Sequence, residues 1–365
     1  MKIAQIAPLY EAVPPRLYGG TERVIHYLTE ELVKQGHEVT LFASGDSITA
    51  ARLVATVPEA LRLNPHCIDP MAHHILQMQQ VINRSHEFDI LHFHTDFLHF
   101  PFSAQCAQPC ITTLHGRLDI PDLQPLYNHF RKQKVVSISA SQRKPLPQAN
   151  WISTVYHGLP RHLHRLHATP GNYFAFIGRI SPEKRADRAI EIAIACNTPI
   201  KIAAKIDKTD ESYFREHIAH LFDHPLVEYI GEINETQKTA FLGNAKALLF
   251  PIDWSEPFGM VLIEAMSCGT PVIAFNRGSV PEIIDDGVTG FIVNNVSEAV
   301  AALQRLPMLN RSVIRTVFEQ KFTAERMARD YVQVYHQLTS NAQRSNPRML
   351  PASLTANTLY PGKVG

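Results

Sequence analysis

From Lys2 to Val293 short apolar runs alternate with longer stretches of helical periodicity, and the series stops and restarts once, near residue 170. Runs of this length cannot cross a bilayer or form long amphipathic strands, but they suit parallel strands covered on both faces by helices. Residues 2–7 read as the first strand, ended by Pro8, and Pro14 and Pro15 exclude a helix in the loop that follows. Gly19-Gly20-Thr21-Glu22 then opens a helix whose apolar positions Val24, Ile25, Leu28 and Leu32 recur at helical spacing. Gly36 closes it before a second strand at 38–43. Such a βαβ unit implies a parallel sheet with right-handed crossovers.

Further strands are expected at 88–94, 110–114 and 134–138. The stretch around 156–171, rich in His and Arg, breaks the pattern as an interdomain linker. A second series places strands at 173–177, 200–204, 227–230, 247–250, 271–275 and 291–293. Helices are expected at 184–196, 211–221, 235–244, 296–305 and 324–338. The fold class is therefore α/β, with two doubly wound, Rossmann-like domains. The expected division is 1–165, 171–322, a C-terminal helix at 323–339 and a disordered tail at 340–365, where Pro, Ser, Asn and Thr accumulate.

Composition narrows the partners. With 35 basic and 34 acidic side chains there is no concentrated positive field, so nucleic acid is not an expected partner. Five scattered cysteines without a CxxC pair argue against a disulfide framework or a zinc finger. The N-terminal run is too short for a signal peptide, and no stretch approaches the ~20 apolar residues that span a bilayer. A cytoplasmic protein with at most peripheral membrane contact is expected.

In open parallel sheets ligands bind beyond the carboxyl ends of the strands. The loop 178–184 follows the first strand of the second series. Arg179 and Lys184 beside a helix start suit a di-anion, although a solvated basic helix start gives the same pattern. In 256–264, Pro257 and Gly259 force a loop before a helix that carries Glu264, with Glu256 just ahead of it. Carboxylates there suit sugar hydroxyls, and equally suit a helix dipole with no ligand. Gly19 and Gly20 permit close approach to a phosphate or sugar. Neither GxGxxG nor GxxxxGK[ST] occurs, which disfavours nicotinamide, flavin and phosphate-loop nucleotide chemistry. His115 ends a strand and precedes Gly116, a placement that suits a ligand-facing histidine as well as a structural one. Gly231-Glu232 is a further strand-end loop able to cover a nucleobase. His92, His94, His162, His164 and His167 lack the carboxylate or thiolate partners of a metal site and read as structural or exposed, with His94 placed to line a cleft.

Taken together these loops resemble glycosyltransferase family 4, the retaining enzymes of the GT-B fold, over about residues 1–338. The resemblance is strongest from Ser255-Glu256-Pro257-Phe258-Gly259-Met260 through Glu264 to Ala274. Gly178-Arg179-Ile180, Pro281-Glu282-Ile283-Ile284 and Gly287-Val288-Thr289-Gly290-Phe291 add to it. Tyr18-Gly19-Gly20-Thr21-Glu22-Arg23 and Gly36-His37-Glu38-Val39 resemble a subgroup that includes oligosaccharide-antibiotic transferases. The resemblance implies two domains facing across a cleft and transfer of a sugar from a nucleotide-sugar, UDP-linked in the leading reading. The acceptor would be a carbohydrate, glycolipid or small-molecule hydroxyl, and no metal or cofactor would be used. Arg179 and Lys184 would neutralise the diphosphate. Glu264 would bind ribose, and Glu256 and His115 would meet the transferred sugar as the catalytic candidates. Gly259, Met260 and Val261 would offer backbone N–H groups, and Gly20 would approach the phosphates from the other domain. Ile202-Ala203-Ala204-Lys205 and Asp187 depart from the commoner pattern. A GT-B sugar phosphorylase, a nucleotide-sugar epimerase and a non-catalytic nucleotide-sugar-binding protein are the alternatives.

Overall fold

The structure, a computed structural model, describes residues 1–16, 19–62, 64–104 and 106–345, with backbone alone for 341–345. Tyr18 and the tail beyond Ser345 lie outside the described residues. The first sheet has seven strands: β1 (Lys2–Ile6), β2 (Glu38–Ala43), β3 (Arg52–Ala55), β4 (Ile90–Phe93), β5 (Cys110–Thr113), β6 (Lys134–Ser137) and β7 (Asn150–Thr154). Their order is β3-β2-β1-β4-β5-β6-β7 and every pairing is parallel. The second sheet has six: β8 (Tyr173–Arg179), β9 (Ile200–Lys205), β10 (Val227–Gly231), β11 (Ala245–Phe250), β12 (Val272–Phe275) and β13 (Gly290–Val293). Its order, β10-β9-β8-β11-β12-β13, is again wholly parallel. In each sheet the order reverses beside the first strand, which is where a doubly wound sheet opens a crevice. These are two Rossmann-like sheets in an α/β fold.

Burial follows position in the sheet. Ile3, Ala4 and Ile6 in β1 and Ala247, Leu248, Leu249 and Phe250 in β11 are all buried, as central strands covered on both faces require. The edge strands β3 and β7 escape the sequence reading for the same reason: their residues are half-buried or exposed, and their apolar runs, Leu53-Val54-Ala55 and Trp151-Ile152, are short.

Three expectations for helices need correction. The helix expected at 184–196 runs only over Ala186–Ala195, because Arg185 adopts a left-handed φ of 55° that no helical turn can contain. Lys184 therefore precedes the helix instead of opening it. The helix expected at 211–221 is broken into a short α turn at Glu211–Tyr213, a π-helical stretch at Phe214–Ile218 and a 3-10 stretch at Ala219–Asp223. A further helix, Arg311–Lys321, stands where none was expected; Asn310 caps it, and Arg311 reaches the carbonyls of His167, Gly243 and Ala245.

The terminal helix, Ala324–Ser345, extends beyond its expected end at 339 and lies against the first helix, Gly20–Lys34. Its buried Tyr331 and Tyr335 reach into the first sheet, to Thr113 (2.8 Å) and Gln5 (3.0 Å). Between the sheets, Glu282 accepts hydrogen bonds from the N–H groups of Ala140 (2.6 Å) and Ser141 (2.7 Å) and from the Tyr156 hydroxyl (3.1 Å). One carboxylate thus holds three groups of the opposite lobe.

Candidate active site

The strand ends of both sheets face one cavity of about 720 Å³. From the first lobe come Gly19, Gly20, His94, Asp96 and His115. From the second come Arg179, Lys184, Lys205, Glu232, Lys238, Glu256, Gly259, Met260, Val261 and Glu264. Every sequence-selected site residue lines this cavity except Gly231, which ends β10 outside it while its neighbour Glu232 reaches in.

Backbone geometry explains the glycines. Gly19 has φ 155°, and a Cβ there would meet the Pro15 ring at 2.7 Å. Gly259 takes a left-handed φ of 80° as it turns the chain into the helix Met260–Ser267, a conformation costly to any other residue. The first N–H groups of that helix, at Met260 and Val261, have no intrahelical acceptor and are free for an anion or a sugar oxygen.

The two glutamates share one arrangement. Lys238 Nζ holds Glu264 Oε1 at 2.7 Å, and the Lys184 ammonium contacts Glu256 Oε2. Each acid's second oxygen has no hydrogen-bond partner among the described residues. Glu264 is buried, only 4% exposed, and Lys238 places an opposite charge beside it. Lys184 also lies 5.0 Å from the Trp254 ring and 5.7 Å from that of Phe250. Arg179 is loosely engaged, 3.5 Å from Asp210 and 3.7 Å from Asp207. Lys205, from the stretch that departs from the family pattern, adds a third cation and lies 2.7 Å from Asp207. Sequence spacing gave no signal for Lys238 or for Glu235, which joins the Arg23 guanidinium of the first lobe to this corner.

On the first lobe the histidines are joined. His94 Nδ1 lies 2.8 Å from His115 Nε2, and His94 Nε2 lies 2.7 Å from Gln5 Oε1. His157 stacks on His115, with centroids 5.2 Å apart, and meets Phe258 of the second lobe edge-on. Burial, which penalises the charged ring, holds His92, His94 and His157 neutral and lowers His115 to about 3. Asp96 has a left-handed φ of 49°, and desolvation in the cleft pushes its carboxyl up to about 6. Nothing in the sequence around it marked that residue. Among the described residues no three His, Cys, Asp or Glu side chains gather as a metal site requires. Nor is any helix among them long and apolar enough to cross a membrane.

Two family profiles match in succession, Glycosyltransferase Family 4 over residues 18–173 and Glycosyl transferases group 1 over residues 164–311. The chain is a GT4-type glycosyltransferase. An uncharacterised glycosyltransferase of Methanocaldococcus jannaschii, MJ1607, is 23% identical over 343 residues, 80% of this chain and 85% of that protein. A 41.2 kDa protein in the cps region of Klebsiella pneumoniae is 30% identical, but the match spans 45% of its length. Among solved structures, AviGT4, a glycosyltransferase involved in avilamycin A biosynthesis, superposes with a TM-score of 0.73 at 23% identity, over 93% of this chain and 98% of that one. Anabaena HepE in complex with UDP and glucose gives 0.72 at 17% identity, over 93% and 100%. These likenesses establish the two-lobed GT-B fold of this glycosyltransferase.

Proposed function

We propose that this transferase takes a UDP-sugar and, without a metal ion, transfers the sugar to an acceptor hydroxyl with retention of anomeric configuration. The observation that carries the reading is the gathering of Arg179, Lys184, Glu256 and Glu264 around one cleft with the Met260 and Val261 N–H groups. The complex of UDP and glucose in the similarly folded HepE supports the choice of nucleotide. The resemblance to family 4 supports retention.

Arg179 and Lys184 would take the diphosphate, supplying as fixed cations the charge that a metal ion supplies elsewhere. Glu264 Oε2 would accept from the ribose hydroxyls while Lys238 holds Oε1. Glu256 would turn its second oxygen to the transferred sugar, and His115 would meet that sugar from the opposite wall. In the reaction the bond from the anomeric carbon to the diphosphate oxygen breaks, and the acceptor oxygen bonds to that carbon on the same face. The acceptor's proton passes to the departing phosphate oxygen, so no side chain need serve as nucleophile. Catalysis then rests on placement and on stabilisation of charge on the leaving group. The acceptor would approach over the first lobe and would be a carbohydrate, glycolipid or small molecule.

The test is a screen for released nucleotide with UDP-, GDP- and ADP-sugars, with and without a chelator, followed by assignment of the product anomer by NMR. Release from UDP-sugars that survives chelation, with the donor's anomeric configuration kept, is expected. Dependence on a divalent ion, or an inverted product, would refute the reading.

A further inference from the structure

The buried hydrogen-bond series behind His115 has a direction. Gln5 Oε1 can only accept, so His94 Nε2 must carry the proton that bridges their 2.7 Å separation. Neutral His94 then has a bare Nδ1, and the 2.8 Å contact to His115 requires His115 Nε2 to be the donor. His115 is itself held neutral, so its Nδ1 carries a lone pair. That atom is buried, has no partner among the described residues, and belongs to a side chain that lines the cleft.

The orientation of Gln5 fixes this direction, and its surroundings favour the orientation observed. The Gln5 amide nitrogen donates to the Tyr335 hydroxyl at 3.0 Å and faces His92 Nδ1 at 3.5 Å. Tyr335 in turn donates to His92 Nδ1 at 2.7 Å, which leaves His92 Nε2–H for Thr113 Oγ1 at 2.7 Å. One Gln5 N–H thus donates to Tyr335, and the other points toward His92 Nδ1, whose lone pair the Tyr335 hydroxyl already holds. Turned over, the amide would offer only His94 Nε2 to its two N–H groups, and His115 Nδ1 would become a buried donor with no acceptor. Buried N–H groups without an acceptor are rarer in folded proteins than acceptors left unused.

We propose that Gln5 and His94 are positioning residues: they fix the tautomer of His115 so that its Nδ1 is a hydrogen-bond acceptor for a hydroxyl of the transferred sugar. Tyr335, from the terminal helix, sets Gln5 and thereby couples docking of that helix to the donor site. The inference rests on the transferase reading for the identity of the hydroxyl, but the tautomer itself does not. The site selects a sugar carrying a free hydroxyl at that point, since a group with no proton to give leaves the lone pair unanswered.

Two-bond nitrogen–proton correlation spectra of the full chain, with 15N-labelled histidine at pH 8 and no donor, read the tautomer directly. His115 is expected to carry its proton on Nε2. His94→Leu removes the acceptor and should redistribute that proton, whereas His94→Asn, whose amide oxygen can stand in for Nδ1, should keep it. A proton on His115 Nδ1 in the wild type, or a tautomer indifferent to His94→Leu, would overturn the proposal. This spectrum is independent of whether the chain transfers sugar. In the transfer assay, His94→Leu is expected to lower kcat by about tenfold with KM within about threefold of wild type, the cost of one misdirected hydrogen bond. His94→Asn is expected to restore most of the rate. Equal loss in both variants would contradict a positioning role.

Discussion

At the scale of the residue, the account turns on paired charges that a ligand can use. Glu264 keeps one oxygen on Lys238 and offers the other, so Glu264→Gln retains shape while removing the charge that attracts both lysine and ribose. Transfer should fall at least about tenfold, with a melting temperature lowered by only a few degrees, as loss of a partly buried pair implies; unchanged turnover would remove Glu264 from the site. Protonation adds a second prediction. His92, His94, His99, His115 and His157 all have folded-state pKa values below 6.5 because burial disfavours the imidazolium. In the unfolded chain these rings take up protons near 6.5, and in the folded chain only at much lower pH. The stability they contribute is therefore complete above about pH 6.5 and is lost as pH falls below it. The acids Glu11, Glu22, Asp96 and Asp210, raised by desolvation, act in the opposite sense, but the lowered histidines, to which His26, His37 and His74 also belong, outnumber them. Thermal unfolding followed from pH 8 to pH 5 should show the melting temperature dropping over the lower half of that range. A flat profile would mean that the rings are not held neutral.

At the scale of the element, Gly259 joins a loop to a helix through a conformation other residues avoid. A Cβ there would sit 3.1 Å from Leu262 Cδ1. Gly259→Ala should cost about 1–2 kcal/mol in urea unfolding and displace the N–H groups of Met260 and Val261. Weaker binding of nucleotide-sugar in parallel would tie that turn to the ligand, and unaltered stability would show that the left-handed turn is not required. The same turn shows how sequence and structure relate. Pro257 and Gly259 announced the loop, and continuous apolar runs announced β1 and β11, because both signals are local. The edge strands β3 and β7 were hidden because half-buried residues need no run. The shortened start of the helix Ala186–Ala195 was hidden because Arg185 in a left-handed φ carries no mark in its residue type. Lys238 and Asp96 were equally silent: Lys238 matters through Glu264, remote from it in sequence, and Asp96 through its burial in the cleft. Arg179, Lys184, Glu256 and Glu264 were legible because each lies at a strand end or on the loop and first helical turns that follow one, where periodicity already places them.

At the scale of the whole molecule, two lobes meet through a few polar groups, the packing of Tyr156 and His157 against Phe258, and one returning helix. Glu282 gathers Ala140, Ser141 and Tyr156 of the first lobe. Glu282→Ala should leave each sheet folded but loosen the pair, seen as a larger radius of gyration in small-angle scattering with an unchanged far-UV spectrum. A scattering profile identical to wild type would show that Glu282 does not hold the lobes together. Closure of the lobes would bring His115 and the diphosphate cations to opposite sides of one sugar, so the central claim is that Arg179 and Lys184 grip the leaving group. Calorimetric titration of UDP and of uridine, in chelator, into wild type and into Arg179→Ala and Lys184→Ala tests it most directly. Each substitution is expected to weaken UDP by about 10–100-fold, the loss of one charge-assisted contact, and to leave uridine within about threefold. UDP bound equally well by all three proteins would contradict the account.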